Sequence, residues 1–141
     1  MTEIPLQILN LQDDGFHLLL DITAFGQTFK TVLDTGASRT VLDKSMVSML
    51  VQEHLLLSTD RLSTGLGTNE MESFKVTIPN FHIGALIIPD FEAAVIDLSA
   101  INYAYQKLDL DPVLGVIGGD LLMKYGAVIN YTNLSLKLFT D

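Results

Sequence analysis

Few residues in this chain have types and spacing suited to chemistry. The three histidines, His17, His54 and His82, lie far apart and form no H-E-x-x-H pair. Each reads as a surface or half-buried side chain rather than a metal ligand. No cysteine is present, which removes thiol nucleophiles, thiolate metal sites and disulfides. No G-x-S-x-G elbow marks a serine hydrolase. GLGTNE at 65–70 has two glycines of a dinucleotide fingerprint but lacks the third, and it lacks a phosphate-loop lysine. A hairpin tip describes it better. What remains is a carboxylate in KTVLDTGASRTVLDK, residues 30–44. Asp34 follows the apolar pair Val32-Leu33 and precedes Thr35, Gly36, Ala37 and Ser38. An aspartate before a small polar residue and a glycine often makes only a turn. A carboxylate at the end of an apparently buried strand asks for more than that, because burial disfavours charge.

The elements that must position Asp34 are mostly strands. IPLQILNL (4–11) and FHLLLDIT (16–23) are apolar strand candidates separated by the turn signal QDDG. AFGQ forms a second turn into TFKTVLD (28–34), and SRTVLD (38–43) is a short strand. KSMVSMLVQEHLL (44–56) reads as a helix capped by Asp43, with Met46, Val47, Leu50 and Val51 on one face. RLSTGLG and MESFKVTIP are strand candidates around a glycine-rich tip, and 81–98 reads as several short strands. LSAINYAYQKL (98–108) has helical spacing with Asp97 as a cap. DLLMKYG (120–126) is a short helix that Asp120 caps and Gly126 ends. AVINYTNLSLKLF closes as a hairpin. Short strands with two or three short helices predict a closed or sandwiched all-β fold. The 141 residues contain no linker-like or low-complexity run, so one domain spanning 1–141 is expected.

Composition narrows the function classes. A net charge of −9, with only eight Lys and Arg, opposes nucleic-acid binding. Apolar residues make up 48% of the chain, but no run reaches membrane-span length. Glu3 and the lack of a basic start do not suit a signal peptide. A cytoplasmic location is therefore expected, with export left open.

A second motif changes the weight of the first. VLGVIGGDLLMKYGAVINY (113–131) places Val116-Ile117-Gly118 before a short helix and a further strand. Together with the Asp-Thr-Gly-Ala stretch, this resembles the retropepsin-like aspartic peptidases, single-lobe relatives of pepsin. The resemblance runs in order over most of the chain and implies a closed acid-protease β-barrel lobe. In that family the apolar-apolar-glycine segment packs beside the catalytic loop.

The resemblance implies an aspartic endopeptidase. Water attack on a peptide carbonyl needs a base and an acid, and two adjacent carboxylates sharing one proton supply both. This chain has one Asp-Thr-Gly, so the mate of Asp34 is expected from a second copy across a two-fold axis. The implied catalytic residues are Asp34, Thr35 and Gly36, with the Thr35 hydroxyl bonding across the axis and Gly36 donating its N–H. Ala37, Ser38, Gly65, Leu66, Gly67 and Ile117 are expected to contact a peptide or protein substrate, with residues 62–74 as a flap. No metal or cofactor is implied. Viral members carry an acid after the alanine and an arginine after the late glycine. Ser38 and Gly119 stand there instead, and losing both partners together strands no charge. Ala37 offers no hydroxyl to the carboxylate, which implies work at milder acidity. A catalytically idle dimerisation or peptide-binding module on the same fold is the alternative.

Overall fold

The computed structural model describes residues 1–59 and 72–140. Its strands are β1 (Thr2–Pro5), β2 (Gln7–Asn10), β3 (Phe16–Ala24), β4 (Gln27–Leu33), β5 (Val41–Asp43), β6 (Leu57–Ser58), β7 (Phe74–Ile83), β8 (Leu86–Ile96), β9 (Gly115–Ile117), β10 (Val128–Asn130) and β11 (Ser135–Leu138). The helices are α1 (Lys44–Leu50), α2 (Ser99–Lys107) and α3 (Gly119–Lys124).

Six strands close a barrel. β3 pairs with β4, β4 with β9, β9 with β5, β5 with β8, and β8 with β7. The ring closes where Thr23 of β3 meets His82 of β7. β2 and β6 extend the sheet beyond this ring, and β1, β11 and β10 form a separate three-stranded sheet. The fold is the expected mostly-β closed lobe with short helices.

Alternation along the strands explains a two-sided core. On β3, Leu18, Leu20, Ile22 and Ala24 face the barrel interior, whereas Leu19 points the other way. On β4, Leu33 faces inward and Val32 outward. The outward set is covered by α2, which buries Tyr105 against Leu19, Val32, Leu98, Val113 and Val116. Asn102 pins this helix, accepting the Val113 N–H at 2.8 Å and donating to the Val113 carbonyl at 3.2 Å. β9 is therefore buried on both faces, which explains why its sequence is apolar without alternation.

Several element boundaries differ from expectation, among them the strand read at 38–43, which is only Val41–Asp43. The run 4–11 is two strands in two sheets, because the chain leaves β1 at Pro5 and the buried Leu6 donates its N–H to Leu134. The segment 44–56 is helical only to Leu50; Val51 is extended and Glu53–Leu55 forms a 3-10 turn. The segment 81–98 is not several strands. β7 runs on to Ile83, turns at Gly84, and returns as a single strand whose Leu86, Ile88, Ala93 and Val95 are buried. Pro89 is tolerated within β8 because the β5 partner covers only Ala94–Ile96. Asp43 does cap α1, accepting the Met46 N–H at 3.1 Å. Its other oxygen accepts the Leu98 N–H at 2.9 Å, so one carboxylate anchors both α1 and the entry to α2.

Candidate active site

Asp34 lies one residue beyond the end of β4. The main chain there is held on the barrel, since the Asp34 N–H donates to the Ile117 carbonyl at 3.0 Å. β4 and β9 run parallel up to this point, with Leu33 opposite Ile117. The chain then turns tightly. The Ala37 N–H donates to the Asp34 carbonyl at 3.1 Å, and the Gly36 N–H donates to Asp34 Oδ1 at 2.9 Å. A β-carbon on Gly36 would stand 3.2 Å from that oxygen, so the glycine leaves its amide room to reach the carboxylate. Asp34, Thr35 and Gly36 are exposed in the single chain. The carboxylate is thus not buried as expected; the apolar run stops at Leu33, and Asp34 emerges at the barrel rim.

A second loop braces the first. Gly118 is buried, and a β-carbon on it would fall 2.5 Å from the Arg39 carbonyl oxygen and 2.9 Å from that of Ala37. Only a glycine lets the two loops lie this close. The Gly119 N–H donates to the Ala37 carbonyl at 2.7 Å and the Asp120 N–H to the Ser38 carbonyl at 3.1 Å. The Asp120 side chain completes the joint. Its Oδ1 accepts the Thr40 N–H at 2.9 Å, the Thr40 hydroxyl at 2.8 Å and the Leu121 N–H at 2.8 Å. Thr40 Oγ1 in turn accepts the Gly118 N–H at 3.0 Å. The N-cap of α3 is Gly118 and not Asp120. Asp120 instead ties α3 to the loop after Asp34, as sequence reasoning missed.

Asp34 and Thr35 open onto a cavity of about 640 Å³ with mostly apolar walls from Ile8, Phe16, Val32, Ile101, Val116 and Ile129. Among the described residues, Asp34 is the one carboxylate lining it. Asp120, on the bracing loop, is engaged with Thr40. Of the expected substrate contacts, Ala37 is half-buried and Ser38 exposed beside Asp34. Ile117 is 1% exposed within the barrel core, so it serves the loop through its carbonyl. Gly65, Leu66 and Gly67, with most of the expected flap, lie outside the described residues. No group of three or more metal-ligating side chains occurs among the described residues.

A family profile described as aspartyl protease matches residues 20–121, from β3 through the start of α3. The chain belongs to the aspartyl protease family. The matched span contains the Asp34 turn and the Gly118 brace together. Solved aspartyl protease folds of the retropepsin-like kind are similar to it. The retroviral protease-like domain of Ddi1 from Leishmania major superposes with a TM-score of 0.62 at 18% identity, covering 87% of this chain and 88% of that one. A retropepsin-like aspartic protease from Rickettsia conorii superposes with a TM-score of 0.59 at 21% identity, covering 96% and 91%. No curated protein matches the chain by sequence.

Proposed function

We propose that this aspartyl protease family member is an endopeptidase that activates water between two Asp34 carboxylates, one from each chain of a homodimer. The observation that carries this is the isolation of Asp34. It opens onto a substrate-sized cavity that holds no second acid among the described residues. A lone exposed carboxylate cannot supply both base and acid to a peptide carbonyl. Two of them a few ångströms apart share a proton and supply one of each.

The surroundings of Asp34 support the two-fold arrangement. Gly36 N–H already donates to Oδ1 and orients the carboxylate. The Thr35 side chain is exposed at the loop tip, where its hydroxyl is free to bond to the mate's loop. Ile8, Phe16 and Tyr131 line the cavity with 47%, 67% and 71% of their surface open. Such exposure suits a face that a second chain and an extended peptide cover. Ala37, Ser38, Gly65, Leu66 and Gly67 are the proposed peptide contacts, the last three as part of a glycine-hinged cover.

In the proposed reaction, one carboxylate takes a proton from water while its protonated mate donates to the carbonyl oxygen. The tetrahedral intermediate collapses with protonation of the leaving amine, and the pair returns to one shared proton. Incubation with an unstructured protein substrate tests this. The wild type should cut it and Asp34→Asn should not; equal cutting by both would rule out the carboxylate mechanism.

A further inference from the structure

We propose that His17, held in place by Tyr105 of α2, gives the Asp34 cavity a preference for substrates with an acidic side chain beside the scissile bond. The inference rests on the endopeptidase reading of this cavity and goes beyond it to substrate class.

The placement follows from strand register. Leu18 pairs with Leu33 and Leu19 with Val32 across β3 and β4. Continuing that register by one residue sets His17 beside Asp34. Alternation then puts both on the face of Leu19 and Val32, away from the barrel interior. Both line the same cavity.

His17 is also the one side chain among the described lining residues that can carry a positive charge there; no Lys or Arg lines the cavity. Without it, an apolar cavity ending in a carboxylate would repel an acidic side chain. The His17 imidazole on the wall offers such a side chain an N–H donor and a cationic partner at short range.

The imidazole is positioned from behind. His17 Nδ1 and Tyr105 Oη are 2.5 Å apart, and the two ring centroids are 5.8 Å apart. Burial pushes the Tyr105 phenol up to about 12, so it stays protonated wherever the enzyme could work. The phenol can donate to Nδ1, with the ring proton on Nε2, or accept from Nδ1–H, so the contact holds the ring in either form.

The ring faces Asp34 and Tyr131 through the first cavity. On its other side it borders a second cavity of about 650 Å³ between α2 and the turn at 12–14, lined by Tyr105, Asp13 and Lys107. Asp13 and Lys107, of opposite sign, are the other charged groups on that side of the ring.

Two measurements test it. Peptides that differ only by Glu or Gln at each position flanking the cut should be hydrolysed with a Glu preference of about fivefold, the worth of a half-exposed ion pair. The same peptides should show the same preference in binding to Asp34→Asn, which needs no turnover. His17→Gln should bring both ratios close to one. Tyr105→Phe should weaken the ratio without abolishing it, because the ring stays but loses its anchor. Equal binding of Glu and Gln peptides, a ratio unmoved by His17→Gln, or no binding of either peptide would each overturn the inference. Binding with the predicted preference but no hydrolysis by the wild type would instead overturn the endopeptidase reading and leave the role of His17 standing.

Discussion

One oxygen of Asp120 receives both the amide and the hydroxyl of Thr40, at 2.9 and 2.8 Å. Through Thr40 it also reaches the buried amide of Gly118, at 3.0 Å from Thr40 Oγ1. Two loops distant in sequence are thus joined behind Asp34 by neutral donors on one carboxylate. The retropepsin-like viral pattern uses an acid and an arginine near these positions. Ser38 and Gly119 supply only backbone bonds here, and the side-chain link between the loops is Asp120–Thr40.

Thr40→Val tests that joint. The change is nearly isosteric, but it leaves the Gly118 N–H without its acceptor, and Thr40 is 1% exposed. A loss of about 1–3 kcal/mol in unfolding free energy is expected by denaturant titration, from the unsatisfied buried amide. An unchanged midpoint would show that the joint is not a brace.

Gly118→Ala should be worse. Its β-carbon would meet the Arg39 carbonyl carbon at 2.6 Å and oxygen at 2.5 Å, and backbone cannot step aside as a side chain can. We expect a destabilisation of about 2 kcal/mol or more. Residual folded protein should have lost activity, because the displaced segment includes the Asp34 turn. A fully active, stable variant would contradict the packing described here.

pH acts on the site and on the scaffold in different ways. An Asp34 pair needs one proton between two carboxylates, so activity should follow a bell in pH. Ala37→Ser would add a hydroxyl beside the ionised form and shift the high-pH limb toward acid. A rate profile on both proteins checks this; an unmoved limb would remove Ala37 from the tuning.

At the start of α2, hydrogen bonds from the Ser99 side chain and then its amide hold the Asp97 carboxyl below its usual value of 3.8. A lowered folded-state value stabilises the fold above the unfolded value, so this contribution is complete above about pH 4 and is lost as pH falls below it. Asp97→Asn should lose this small contribution at neutral pH and converge with the wild type below about pH 4, which flattens the acid side of its stability curve. A deficit that is larger in acid than at pH 7 would contradict it.

Much of this site was legible because it lies on a short, continuous motif. Val32-Leu33-Asp34-Thr35-Gly36 states its own geometry, since an apolar strand must end before a charge and a glycine must follow for the amide to turn back. Val116-Ile117-Gly118 was legible for a similar reason: a strand buried on both faces is apolar throughout. Other features depend on partners far along the chain. Asp120 looks like a helix cap because its nearest neighbours are helical, whereas its main partner is Thr40, eighty residues away. The strand break at Leu6 depends on Leu134, and the length of β8 depends on β7. His17 carried no local signal; its register opposite the Asp34 turn and its contact with Tyr105 exist only in the folded chain.

The sharing of one site by two chains is tested most directly by mixing. Wild-type and Asp34→Asn chains are combined in equal amounts, allowed to exchange, and assayed for peptide hydrolysis. If each site needs one Asp34 from each chain, random pairing leaves the wild-type component with about half its activity alone. An excess of the variant should drive it toward zero. Undiminished wild-type activity in a mixture shown to have exchanged subunits would mean that one chain suffices, and the shared-carboxylate mechanism would be wrong.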